Sequence, residues 1–188
     1  MSDPVLHPIG RDDLTDEQRP LYDEILGGRS SISALTPLTD DNGALLGPFD
    51  PILRTPAIGR AIGQLGLALR NDSSLPRPVN ETAILTTSVH WAAEFEWYAH
   101  AAIVRNGAML TEDDLTAIRE RRTPAEPEIA LAWRGAEAIL AGERLPDDLA
   151  KEVTAAWGER GLVELCATVG HYSHLAMLLR SLGIEPPE

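Results

Sequence analysis

The chain has 188 residues, 44% of them hydrophobic and 24% charged, with 16 Lys and Arg against 29 Asp and Glu and a net charge of −13. That length suits one domain with a real core, and the composition is far from that of a disordered chain. The anionic balance argues against nucleic acid and against anionic membrane surfaces as partners. One cysteine, Cys166, excludes an intrachain disulfide, a CxxC redox pair and a cysteine-based zinc site. Cys166 falls in the apolar run LVELCATVG and reads as an inert core thiol. The N-terminus MSDPVLHPIGRDD has neither a basic nor an apolar signal region, and no apolar run reaches the roughly 18 residues of a membrane span. A cytoplasmic protein is expected.

In chain order, residues 1–13 look irregular. Thr15 and Gln18 form a T-x-x-Q capping box that opens a helix stopping at Gly27 and Gly28. Residues 28–50 are rich in Gly, Ser, Pro and Asp, yet carry Ile32, Leu35, Leu38, Leu45, Leu46 and Phe49, so they read as a packed loop. Thr55-Pro56 starts a helix running to about Arg70, which NDSSLPRP breaks before Pro78 opens the next. His90-Trp91-Ala92 is a turn, and Asn106-Gly107 ends the helix after it. Thr111 with Asp114 caps another, closed by Pro124 and Pro127; a helix over 128–141 follows, and Pro146 opens one more. From Gly161 to Leu182, the positions Leu165, Val169, Tyr172, Ala176 and Leu179 trace a buried face, and Leu162, Val163, Leu175 and Leu178 widen it until the helix looks nearly surrounded. Gly183 is its expected C-cap. TAILTTSV is the one strand-like stretch, and Pro78 and Glu81 at first-turn positions favour helix. The expected fold is all-α, about eight helices in a single domain over 1–188, with 1–50 as an N-terminal helix-plus-loop extension.

The chemistry concentrates between Glu81 and His100. Glu96 and His100 are four apart and share a helical face that continues to Ile103 and Val104. Glu81 precedes Ile84 and Leu85 by three and four residues and points to an apolar side as well. Burying a carboxylate costs several kcal/mol without a partner, so such placement points to chemistry. Histidine exchanges protons near neutral pH, and a nearby carboxylate raises its basicity. His100, Glu96 and Glu81 are therefore the candidate catalytic groups: His100 the acid, the glutamates base or orienter. Arg54, Arg60, Arg70 and Arg77 are candidates for a basic patch, and Arg70 for holding a substrate carboxylate. Trp91, Trp97 and Tyr98 are candidates for an apolar wall. His171 and His174, three apart, form a conceivable metal pair without an acidic partner. Glu81, Glu96 and His100 would suit a divalent ion, but proton transfer accounts for them without one, so neither metal nor cofactor is expected.

The stretch from Gly47-Pro48-Phe49 through SSLPRPVNETAIL to HWAAEFEWYAH, followed by A-x-x-x-x-G to Gly107, resembles the carboxymuconolactone decarboxylase family, which shares its fold with AhpD-like alkylhydroperoxidases. The likeness covers residues 45 to 110, and GERGLVELCATVGHYSHLAMLL resembles longer members. It implies an all-α domain associating as trimers or hexamers, with the site near the helix that ends in the histidine. The peroxidase branch uses a glutamate, a CxxC pair and a histidine. Matched on the histidine, Glu81 and His100 take the glutamate and histidine positions, while the cysteine positions fall on Ala93 and Glu96. Without two thiols there is no dithiol–disulfide cycle. The expected function is thus a lyase acting by proton transfer on a small carboxylated lactone or related ring acid; the alternatives are an antioxidant peroxidase or a silent ligand-binding scaffold.

Overall fold

The computed structural model describes residues 5–28 and 36–187. Ile32 and Leu35 lie outside them. Among the described residues there are eight α-helices and no strand beyond an isolated bridge between Thr39 and Leu45. They are α1 (Arg19–Gly27), α2 (Phe49–Ile52), α3 (Pro56–Asn71), α4 (Arg77–His90), α5 (Glu94–Asn106), α6 (Glu112–Arg119), α7 (Pro127–Leu140) and α8 (Asp147–Leu182). A short 3-10 turn over Arg11–Asp13 interrupts the segment expected to be irregular.

Local signals explain most boundaries. Thr15 and Gln18 exchange the two capping-box bonds, Thr15 N–H to Gln18 Oε1 at 3.0 Å and Gln18 N–H to Thr15 Oγ1 at 3.4 Å. Thr111 and Asp114 do the same ahead of α6. Glu126 caps α7 by accepting from the Ile129 N–H at 2.8 Å. The β-branched run of α4 is helical because its hydroxyls are satisfied within the helix. Thr82, Thr86 and Thr87 each donate to the carbonyl four residues back, and Ser88 to Leu85.

The helix ending the chain is longer than the sequence suggests. The expected segments on either side of Trp157 join into α8, which is broken at Gly158 with φ 73° and ψ 174°, a conformation open essentially to glycine alone. By length and composition alone α8 is apolar enough to cross a membrane, but here its inner face belongs to the core. Leu165, Val169, Tyr172, Ala176 and Leu179 are all buried, as expected. Its outer face is not covered among the described residues: Val163 and Met177 are exposed. Cys166 is exposed too, which corrects the core-thiol reading; one step along the helix from buried Leu165 turns it about 100° away from that face.

The main core joins α4, α7 and α8 through Val79, Ala83, Ala132, Ala136, Val153 and Leu165. A second cluster unites the N-terminal region with α1 and α2 through Leu14, Leu21, Ile25, Leu45, Ile52 and Leu53. Polar ties cross between elements. Asn80 of α4 donates to the Leu69 carbonyl of α3 and accepts from Thr168 of α8 at 2.8 Å. Glu164 of α8 accepts from Ser73 Oγ, from Ser74 N–H and Oγ, and from Arg160, clamping the α3–α4 turn.

Burial alone would raise the Glu164 carboxyl above its ordinary 4.5, but donors from Ser74, Arg160 and Ser73 outweigh it and hold the group at about 2. A depressed carboxylate contributes stability above its unfolded value and loses it as pH falls toward the folded one. Glu164→Gln is expected to cost about 1–2 kcal/mol at neutral pH and to flatten the acid limb of stability between about 4.5 and about 2. Urea melts of both proteins across that range check it.

Candidate active site

α4 and α5 are joined by a tight turn in which Ala92 takes φ 51° and the Ala93 N–H bonds to the Ser88 carbonyl at 2.8 Å. This turn sets the phase between the two helices, so that Glu81 on α4 meets His100 on α5. His100 Nδ1 lies 2.7 Å from Glu81 Oε2, and His100 Nε2 lies 3.6 Å from Glu96 Oε2. The imidazole thus stands between two carboxylates. Their side chains are only 4% and 5% exposed, that of His100 12%. Arg77, half exposed, approaches the other oxygen of Glu81 at 4.0 Å. The Tyr172 ring meets His100 edge-on, with centroids 5.1 Å apart.

Burial by itself drives the His100 pKa down. The charge and hydrogen bond of Glu81, with the charge of Glu96, more than reverse this, while Arg70 opposes them; the net direction is up from 6.5. With Glu81 accepting from Nδ1–H, a proton lost from the ring comes from Nε2, the nitrogen facing Glu96.

Beside His100 lies a cavity of about 60 Å³. Phe95, Glu96, Ala99, His100 and Ile103 of α5 form one side, Gly66 and Arg70 of α3 another, and His171, Tyr172 and Leu175 of α8 a third. Thr36, Pro37, Leu38, Leu46, Pro48 and Phe49 close it. This closing loop is anchored from outside. Tyr22 donates to the Gly43 carbonyl at 2.8 Å, and Asp50 accepts from the Ile9 N–H at 2.8 Å and from Arg54 at 2.7 Å.

Of the four arginines considered, Arg70 alone lines the cavity; Arg54 pairs with Asp50, Arg60 with Glu24, and Arg77 approaches Glu81. The Arg70 Nε is buried with no hydrogen-bond partner among the described residues. The aromatic wall differs from expectation. Trp91, Trp97 and Tyr98 do not line the cavity. Trp91 donates to Ser173 at 3.0 Å, Trp97 stacks under Arg119, and Tyr98 packs edge-on against Phe95. Their place is taken by Phe49, Phe95 and Tyr172. Tyr172 was visible in the buried stripe of α8, whereas Phe95 and the two tryptophans share one short stretch whose helical phase only the Ala92 turn decides. His171 and His174 diverge, the first buried at the cavity and the second exposed. Among the described residues no group of three His, Cys, Asp or Glu is arranged to hold a metal ion.

The eight helices, with no strand among the described residues, match an AhpD-like helical fold. Two solved structures of the debrominase Bmp8 superpose on it. A cysteine-to-alanine variant in complex with 2,3,4-tribromopyrrole has a TM-score of 0.72 at 14% identity, covering 98% of this chain and 94% of that one. The apo form has a TM-score of 0.70 at 14% identity, covering 97% and 92%. No family model matches the chain, and no curated protein matches it in sequence. At such identity the likeness establishes the fold, and the chemistry rests on this chain's residues.

Two outcomes follow from this geometry. Gly47 has φ 64°, and a Cβ there would lie 2.2 Å from Phe95 Cε1. Gly47→Ala is expected to cost about 2–4 kcal/mol through left-handed strain and overpacking, read as a lowered midpoint in urea. For His100 the folded pKa is raised, so its stabilising contribution is complete below the unfolded value and is lost as pH rises through the folded one. Glu81→Gln should lower the His100 pKa, followed by NMR of the ring protons, and remove on the order of 3 kcal/mol of stability at mildly acid pH.

Proposed function

We propose that this protein is an enzyme performing general acid–base chemistry on a small carboxylated ring compound, by a lyase reaction of the carboxymuconolactone decarboxylase type. The observation that carries this reading is His100, held between Glu81 and Glu96 at the wall of a cavity that Arg70 also lines, its buried Nε without a hydrogen-bond partner among the described residues. Decarboxylation needs a cation near the charge left when CO2 departs and an acid that protonates carbon. Arg70 orients the substrate carboxylate by paired hydrogen bonds. His100 in its protonated form delivers the proton from Nε2, and Glu81 holds the ring and restores the charge balance. Phe49, Phe95 and Tyr172 exclude water, so these charges act in a low-dielectric setting. The complex of the debrominase with a substituted pyrrole favours a small ring compound as ligand in this fold.

Thiol chemistry finds no support in the residues present. Cys166 is the sole cysteine and lies outside the cavity. Burial raises its pKa, which lowers the thiolate fraction further.

A cavity of about 60 Å³ holds a few water molecules and is smaller than a carboxylated lactone. Entry of such a ring requires the 36–49 wall to yield. The test is CO2 release from 4-carboxymuconolactone by wild type and His100→Ala. Turnover that falls about a hundredfold or more in a folded variant is the expected result. No release by wild type would overturn the decarboxylase assignment.

A further inference from the structure

Glu96 is the one carboxylate of the buried cluster that lines the cavity; Glu81 does not. Its neighbour His100 is in turn bonded to a second acid, Glu81. Read from the cavity outward, the order is carboxylate, imidazole, carboxylate, with 3.6 Å and 2.7 Å between successive groups. This is the order nucleophile, base, orienter that covalent catalysis requires. We propose that the cavity also performs a hydrolytic substitution: Glu96 displaces halide from a short 2-halocarboxylic acid held by Arg70, and His100 then directs water onto the resulting ester. This is a separate reaction from the lyase chemistry above, though it uses the same cavity.

The substrate class follows from the attacking group. A carboxylate is a weak nucleophile and displaces only anions less basic than itself, which selects halide over hydroxide, alkoxide or amine. Displacement from behind the leaving group needs a saturated carbon, which excludes a halogen on an aromatic ring. A carboxylate beside that carbon pairs with the buried, unpartnered Nε edge of Arg70. A three-carbon acid fits a cavity of about 60 Å³ with less displacement of its wall than a ring acid does.

The steps balance. A Glu96 oxygen bonds to C2 as the carbon–halogen bond breaks, and the electron pair leaves with halide. Water then adds to the Glu96 ester carbonyl and gives one proton to His100 Nε2. The acyl–oxygen bond breaks, and the departing 2-alkoxide takes that proton from Nε2. Glu96 is left with one oxygen from water and passes its own proton back to His100, replacing the one that the imidazole gave up to solvent when the ester formed. The products are a 2-hydroxy acid, halide and one proton. The resting cluster suits this sequence. Esterification removes the Glu96 charge, one of the two that hold the extra proton on His100, while burial continues to favour the neutral ring. The imidazole becomes a base at the stage that needs one.

The experiment uses the full chain with 2-bromopropanoate. Wild type turned over in water enriched in oxygen-18 is expected to release bromide and to carry the label in the peptide containing Glu96. His100→Gln, checked for a cooperative melt, is expected to stop at about one bromide per chain and to gain one propanoate unit on Glu96 by mass spectrometry. Oxygen-18 confined to the product hydroxyl, or absence of bromide release by wild type, would overturn the proposal. The wild-type labelling does not depend on how well the variant folds. CO2 release from 4-carboxymuconolactone without any Glu96 label would leave the lyase reading standing and remove this one; label without CO2 release would do the reverse.

Discussion

The 2.7 Å contact between Glu81 and His100 is the interaction on which the rest of the site depends. It joins α4 to α5 inside the protein, where an unpaired member of either type would cost several kcal/mol. Neither partner would sit there alone. His100 without a carboxylate would stay neutral, as its burial demands. Together, each offsets the cost of burying the other. Glu96 then adds a second negative group on the far side of the same ring, and Arg70 brings a positive one across the cavity. Two acidic and two basic side chains thus meet around one small cavity and set up a local field in it.

That field is maintained by apolar closure. The loop over residues 36–48 lies on the cavity, and its own support comes from the N-terminal cluster. Tyr22 of α1 holds it through the Gly43 carbonyl, and Asp50 at the start of α2 ties it to Ile9. Gly47 lets the backbone pass directly over Phe95. The N-terminal segment therefore acts on the site without supplying a charged group to it: it sets how dry the cavity is, and so how strongly each charge is felt.

Much of this was legible in the residues. Caps at Thr15 and Thr111, proline at the first helical position, 56, and the stop at Gly107 marked helix ends, and the spacing of Glu96 and His100 placed both on one face. The pairing of Glu81 with His100 is different in kind. It spans nineteen positions and a turn, so no local periodicity encodes it, and it was expected only through the family resemblance. The aromatic wall was misread for a related reason. EFEWYAH carries three aromatic side chains in a helix entered through a left-handed residue, Ala92, and the entry angle decides which of them turns inward. Phe95 does, while Trp97 and Tyr98 do not. Cys166 was misplaced because its helix is apolar on a face that the described residues leave open; composition alone does not distinguish that face from the buried one.

The exchange of thiol for carboxylate at position 96, implied by the resemblance, narrows what the cluster can do. A thiol pair stores two electrons as a disulfide, and a glutamate stores none. What a buried carboxylate retains is affinity for a proton and for electrophilic carbon. Both properties strengthen as water leaves, because a desolvated carboxylate is a stronger base and a stronger nucleophile than a solvated one. The balance between them is set by His100. While the ring keeps its extra proton, it offsets the negative charge of Glu96 across 3.6 Å. Once either charge is removed, the other group is released as a base.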